Sequence, residues 1–253
     1  MNLLKDFGRG ISNYGSAIEF IFKHRLYPFF LVPLLLNLLL FYLGFQFTNS
    51  LSTEVINYLS STWNIGNWDF KGAEFLSHAI NFFIYLILKL FFFLLFAFIG
   101  GYVVLFLLSP FLAFLSEKTE MILTKGSTPF SIKQLIKDSW RGMRLAIQNF
   151  FLEVGLTLFL FFLSFIPIAG LISAPLLFFV SAYFYGFSFM DYTLERKQMS
   201  LRQSKRFIQR NKGLALGNGS IFAMVLLIPI IGVGLSGFVA MISTVAATLS
   251  LQK

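Results

Sequence analysis

Two six-residue stretches, FIPIAG at 165–170 and LIPIIG at 227–232, hold the residues of this chain best suited to chemistry. Pro167 and Pro229 disturb any helix interior, and Gly170 and Gly232 follow each of them at the same spacing. A helix that restarts after such a break presents unpaired N–H groups and the positive end of its dipole to whatever lies ahead. Broken helix ends of this kind build anion sites inside membrane transporters, and Ser173 and Ser236 lie close enough to add hydroxyl donors. The plainer reading gives the proline and glycine to a tight turn and the serine to its cap. The residues alone leave both readings open.

Other chemistries are poorly supplied. The chain has no cysteine, so disulfides, thiolate nucleophiles and thiolate metal sites are excluded. Its two histidines, His24 and His78, are far apart, so neither a metal centre nor a catalytic triad is expected. No cofactor and no enzymatic activity follow from this inventory.

The elements that must position these motifs are set by composition. Of 253 residues, 57% are hydrophobic and only 12% are charged. A soluble domain carries about 25% charged residues, so this chain cannot cover its surface in water and is an integral membrane protein. The net charge of +9 does not point to nucleic acid, because the basic residues flank apolar runs in the positive-inside pattern.

Residues 1–25 read as an interfacial helix, with Phe7, Ile11, Tyr14, Ile18 and Ile21 on one face and Lys23 and Arg25 at its boundary. No cleavable signal peptide is recognisable there, so targeting is expected from the first span. Residues 26–53 are free of charge and form the first long transmembrane helix, with Pro28 and Pro33 near its start. Residues 54–74 read as an outer loop, with Trp63 and Trp68 at the interface. Residues 75–116 return with Lys89 as their only charge, and Gly100, Gly101 and Pro110 predict one long, kinked helix. Within 117–153, Ile132, Ile136, Met143 and Ile147 mark one face and Lys133, Lys137, Arg141 and Arg144 another, a basic amphipathic helix suited to anionic lipid. The segment 191–212 is again strongly basic, and GLALG at 213–217 fits a close helix–helix contact. Segments assigned to the inside hold 18 of the 20 Lys and Arg residues, which places both termini in the cytoplasm.

The two Pro–Gly motifs lie inside charge-free runs, 154–190 and 213–252, that begin and end on the cytoplasmic side. Each run must therefore cross an even number of times. Two full crossings and a turn need about 43 residues, and the first arms before each proline extend only ~20–24 Å. The prediction is two partly penetrating, re-entrant helical hairpins turning at Pro167–Gly170 and Pro229–Gly232. The alternative is a complete hairpin that draws Asn149 and Glu153 into the membrane. The fold class is thus all-α integral membrane, one domain over 1–253 with two long transmembrane helices, two re-entrant hairpins and amphipathic cytoplasmic helices.

Four stretches, in order along nearly the whole chain, resemble the CysZ/EI24 family of membrane proteins. FFLVPLLLNLLLF (29–41) carries Pro33 and Asn37, and SPFLAFLSEKTE (109–120) carries Pro110, Phe111, Leu115, Glu117 and Glu120. IPIAGLISAP (166–175) has a second proline, Pro175, and the segment from 190 carries Asp191 and Tyr192 ahead of a basic helix. The resemblance implies a permease of the bacterial inner membrane that passes sulfate or a related oxyanion for cysteine synthesis. It also implies an anion-binding arginine pair before the first long helix, but Tyr27 and Pro28 stand at those positions. Either Lys23 and Arg25 bind the anion from one turn away, together with Gly170, Ser173, Gly232 and Ser236, or sulfate specificity has been lost. Glu117 and Glu120 would repel an anion and are expected to pair with basic residues such as Arg141. The alternative function is a non-transporting membrane scaffold of the EI24 type, docking partners through 117–153 and 191–212. Oligomeric state is left open, a homo-oligomer included.

The absence of native cysteine makes the hairpins testable. Cysteines introduced at Ala169 and Ile231 are expected to resist impermeant thiol reagents applied from outside; ready labelling would defeat partial penetration.

Overall fold

The computed structural model describes residues 3–62, 73–125, 132–228 and 231–252. Pro229, Trp63 and Trp68 lie outside the described residues. Eight α-helices follow one another among those described: α1 (Leu3–Lys23), α2 (Leu31–Thr62), α3 (Ala73–Thr124), α4 (Ile132–Leu163), α5 (Pro167–Arg196), α6 (Leu201–Arg210), α7 (Lys212–Leu226) and α8 (Ile231–Gln252). A 3-10 turn at Tyr27–Phe30 leads into α2. Among the described residues, five helical stretches are long and apolar enough to cross a membrane: Tyr27–Thr62, Ala73–Phe92, Ser139–Leu163, Gly170–Arg196 and Gly234–Gln252. The protein is a helical membrane protein.

Several element boundaries differ from those read off the charge pattern. The α2 helix continues to Thr62, because EVINYLSST contains no glycine or proline to stop it. The α3 helix runs for 52 residues, ~78 Å, and stays helical through Gly100, Gly101 and Pro110. Most consequential is α4, which joins the basic segment and the first hairpin arm in one 32-residue helix, ~48 Å long. Charge at Glu153 marks a change of surroundings, not the end of a helix. The short first arm inferred from sequence is therefore not observed, and length does not oblige the α4–α5 hairpin to stop within the membrane. Asn149 and Glu153 are both buried: Asn149 Nδ2 donates to Ser188 Oγ at 2.9 Å, and Ser181 donates to the Glu153 carboxylate.

The α1 helix also differs from expectation. Its buried residues are Gly10, Asn13, Tyr14, Ala17, Phe20 and Ile21, packed on α7 and α8, while Ile18 is exposed. Its inner face thus meets protein, with polar ties to match. Asn13 Nδ2 donates to Ser250 Oγ at 2.5 Å, and the Tyr14 hydroxyl donates to the Asn218 carbonyl and lies 2.6 Å from Ser243 Oγ. Burial pushes the Tyr14 phenol well above its usual range, against a smaller lowering by the Ser243 hydrogen bond.

At the centre of the bundle, α8 touches α1, α2, α3, α5 and α7. The tightest packing belongs to α7, which offers small residues on two faces. Gly213 and Gly217 meet α1, where a Cβ on Gly217 would lie 2.2 Å from the Phe7 carbonyl oxygen. Ala215 and Gly219 meet α5, where a Cβ on Gly219 would lie 1.8 Å from the Ala182 carbonyl oxygen. Helices in lipid gain no hydrophobic advantage by associating, so backbone approach of this kind supplies the contact energy. Gly219→Val should therefore destabilise the fold by about 3 kcal/mol or more in detergent thermal unfolding. Gly15→Ala, at a helical site with open space around it, should raise stability by about 0.5–1 kcal/mol.

Candidate functional site

The two turns are built by their own chains. Ile166 is extended (φ −85°, ψ 119°), as a residue before proline prefers, and Pro167 opens α5. The N–H groups of Ser164, Phe165 and Ile166 donate to the carbonyls of Leu160, Phe162 and Leu163, and that of Gly170 donates to Ile166. A Cβ on Gly170 would lie 2.8 Å from the Ser164 carbonyl oxygen, and one on Gly232 would lie 2.4 Å from that of Val225. Each glycine is thus required by the close return of the chain. The Ser173 hydroxyl donates to the Gly170 carbonyl at 2.8 Å, and Ser236 is buried. Phe165, Ile166 and Leu171 at the first turn, and Leu227, Ile228 and Ile231 at the second, are exposed.

The second turn is fastened to α2. Asn37 Nδ2 donates to the Gly234 carbonyl at 2.6 Å, Phe41 borders Gly234, and Pro33 packs where Gly237 has no side chain. These contacts run α2 and α8 antiparallel, and they level the turn with about Phe41. Gly234 and Gly237, which follow Gly232 in GVGLSG, were not singled out in the sequence, although small residues at this spacing are the signal for a closely approaching helix.

Lys23 and Arg25 close α1, and both are exposed. Arg25 has φ 54°, and the Leu26 N–H donates to the Ile21 carbonyl at 2.8 Å, so an arginine holds the left-handed place that usually falls to glycine in such a helix end. Leu26 then packs in one cluster with Met241 of α8. The basic end of α1 therefore lies toward the middle of α8, nine residues, ~13.5 Å, along that helix from Gly232.

Two other arginines are fully engaged. Arg141 on α4 grips Asp191 on α5 with two bonds, Nε to Oδ2 at 2.9 Å and Nη2 to Oδ1 at 2.7 Å. It also lies 3.6 Å from Glu195, and donates to the Met199 carbonyl and to Ser204 Oγ on α6. Arg196 pairs with Glu120 on α3 and donates to Ser116 Oγ at 2.7 Å. Ser116, Thr193 and Thr248 close a hydroxyl triangle linking α3, α5 and α8. Glu120 thus belongs to Arg196, not to the Arg141 suggested by sequence. Glu117 makes no ion pair among the described residues. Tyr192 donates to Ser109 Oγ at 3.2 Å, Phe111 stacks at a tilt on Phe29, and Pro110 is exposed within α3. Arg196, Glu195, Ser116 and Thr248 were missed, although the spacing of Asp191 and Glu195 puts two carboxylates on one helix face. Lys89 donates to the Tyr85 hydroxyl at 3.0 Å and lies over the Phe45 ring.

These features define a polytopic helical membrane protein with a buried, ion-paired polar core. The chain belongs to the family described as Sulfate transporter CysZ/Etoposide-induced protein 2.4, whose model matches residues 13–235. It is 26% identical over 220 residues to Sulfate transporter CysZ of Pseudomonas aeruginosa (strain PAO1), covering 86% of this chain and 85% of that one. Similarity to Sulfate transporter CysZ of Pseudomonas fluorescens (strain Pf-5) is 30% over 127 residues, 49% of this chain and 51% of the relative, so that alignment spans about half of each. Sulfate transporter CysZ of Pectobacterium atrosepticum is 27% identical over 138 residues, 54% of this chain and 50% of the relative. The family is one of transporters, and the chain is not an enzyme.

The engaged arginines carry the site's first prediction. Arg141→Met takes from the buried Asp191 its ion-pair partner, and should cost about 3–5 kcal/mol in detergent unfolding. Pairing it with Asp191→Leu should recover much of that loss, since the stranded charge, not the lost attraction, dominates.

Proposed function

We propose that this chain is a permease for sulfate, or a closely related small oxyanion, in the inner membrane of a bacterium, supplying sulfate for cysteine synthesis. The observation that carries the reading is its alignment along 86% of its length with proteins named as sulfate transporters. Electrostatics supports Lys23 and Arg25 as the anion ligands. Arg141 and Arg196 are already neutralised by carboxylates, whereas among the described residues Lys23 and Arg25 make no ion pair. A permeating dianion needs donors that are not already saturated, and the turn at Arg25 fixes where that guanidinium begins. The basic cluster then does, from one turn away, the work of an arginine pair at Tyr27 and Pro28.

Geometry supports a re-entrant second hairpin. The 15 residues of α7 reach only ~22 Å, less than the ~30 Å of hydrocarbon. The turn is level with about Phe41, and from there α2 continues without charge to Thr53, ~18 Å further. The second hairpin therefore turns back inside the membrane, and the buried Gly232 and Ser236 sit at its tip. The α4–α5 hairpin, with longer arms, extends further across. Both hairpins enter from the cytoplasmic side, where the Lys and Arg excess also puts the termini.

Radiolabelled sulfate should enter proteoliposomes well above empty-vesicle controls. The variant K23Q/R25G should lower that flux about tenfold or more, the scale of losing hydrogen bonds from charged donors. Glycine accepts the left-handed backbone freely, so R25G removes the charge and keeps the turn. Control-level flux with sulfate, selenate, molybdate and phosphate alike would sink the permease reading in favour of a partner-binding scaffold.

A further inference from the structure

Between α3 and α4 lies an open groove of about 530 Å³, lined by Val103, Phe106 and Leu107 on one side and Ala146, Ile147 and Phe150 on the other. No polar side chain lines it. It falls within the stretch Ser139–Leu163 of α4, which is long and apolar enough to cross a membrane, and beside the charge-free run of α3. Its volume is that of a small-molecule site.

A cationic face adjoins it. Lys137, Trp140, Arg144, Ile147 and Phe151 recur at steps of three and four, so they share one face of α4, and all five are exposed. Trp140 stands at the start of the apolar stretch, the level at which tryptophan marks the boundary of hydrocarbon. Arg144 lies five residues, ~7.5 Å, inside that start, within reach of the headgroup layer for its long side chain. Neither Lys137 nor Arg144 makes an ion pair among the described residues, unlike Arg141 between them. One helix face therefore offers free cations at headgroup depth and, directly below them, an apolar groove.

We propose that this face binds one anionic phospholipid, its phosphate held by Arg144 and Lys137 and one acyl chain lying in the α3–α4 groove. A guanidinium matches a phosphate with two parallel hydrogen bonds, and the adjoining groove selects an ion that carries a hydrocarbon chain over a free one. The site does not depend on what the protein transports.

Native mass spectrometry of the full chain, purified with equal amounts of phosphatidylglycerol and phosphatidylcholine, tests it. The wild-type protein should retain phosphatidylglycerol selectively. K137Q/R144Q should weaken that retention about thirtyfold, the product of two cations near an anionic surface. Leu107→Trp, which fills the groove at an exposed position and leaves the cations intact, should also release the lipid. Both variants should remain monodisperse with unchanged thermal unfolding. Equal retention of the two lipids, or retention unaffected by either variant, overturns the proposal. Displacement of phosphatidylglycerol by millimolar sulfate or phosphate would assign the cations to a free oxyanion and overturn it as well.

Discussion

A single guanidinium that has left water ties together three consecutive helices of this structure. Arg141 is almost enclosed, and an ion taken out of water must be neutralised and hydrogen-bonded in the same place. Asp191 and Glu195, one turn apart on α5, do the first. The second requires that α5 end where it does. Gln198 takes a left-handed conformation, φ 56°, so that the Met199 carbonyl can accept from Arg141. Ser200 and Gln203 then cap α6 reciprocally, and Ser204 completes the shell. The short, highly charged α6 buries only Ser204 and Ile208, so its position is set mainly by the arginine it surrounds. Three consecutive helices, α4, α5 and α6, are thus aligned by one charge.

A second principle governs the rest of the bundle. Lipid is as apolar as leucine, so burying leucine between helices gains little there. What does gain is atomic contact and satisfied polar groups, and α7 supplies both. Its glycines let α1 and α5 approach to backbone contact, and Asn218 beside them receives Tyr14. The glycines at the two turns serve the same end on a smaller scale, since each lets a helix return beside its own predecessor.

Much of this was legible in the sequence, and what was not shares one cause. The membrane class, the charge-delimited runs and the two turn motifs follow from composition and spacing. Asp191, Tyr192, Pro33 and Asn37 were picked out by resemblance, and each makes an interhelical contact: to Arg141, Ser109, Gly237 and Gly234 respectively. Hydropathy could not tell which apolar faces meet protein and which meet lipid, because both surroundings are hydrocarbon. That is why α1 read as a surface helix although its inner face is covered by α7 and α8. Nor can a charge boundary show whether the backbone continues, and so α4 looked like two pieces. Partner choice among salt bridges was equally hidden. Glu120 meets Arg196 across 76 positions of sequence, a pairing decided by how α3 and α5 cross.

The length of α3 has a mechanical corollary. A helix of 52 residues is ~78 Å long, so crossing ~30 Å of hydrocarbon leaves nearly 50 Å outside it. Such a rod is a lever with its fulcrum in the bilayer. A tilt of about 5° swings one end relative to the other by roughly 7 Å, more than one helical turn. Changes in bilayer thickness, which long helices meet by tilting, would then be geared up at the protruding tips of α2 and α3 and felt at Glu120, where the other arm is clamped to Arg196.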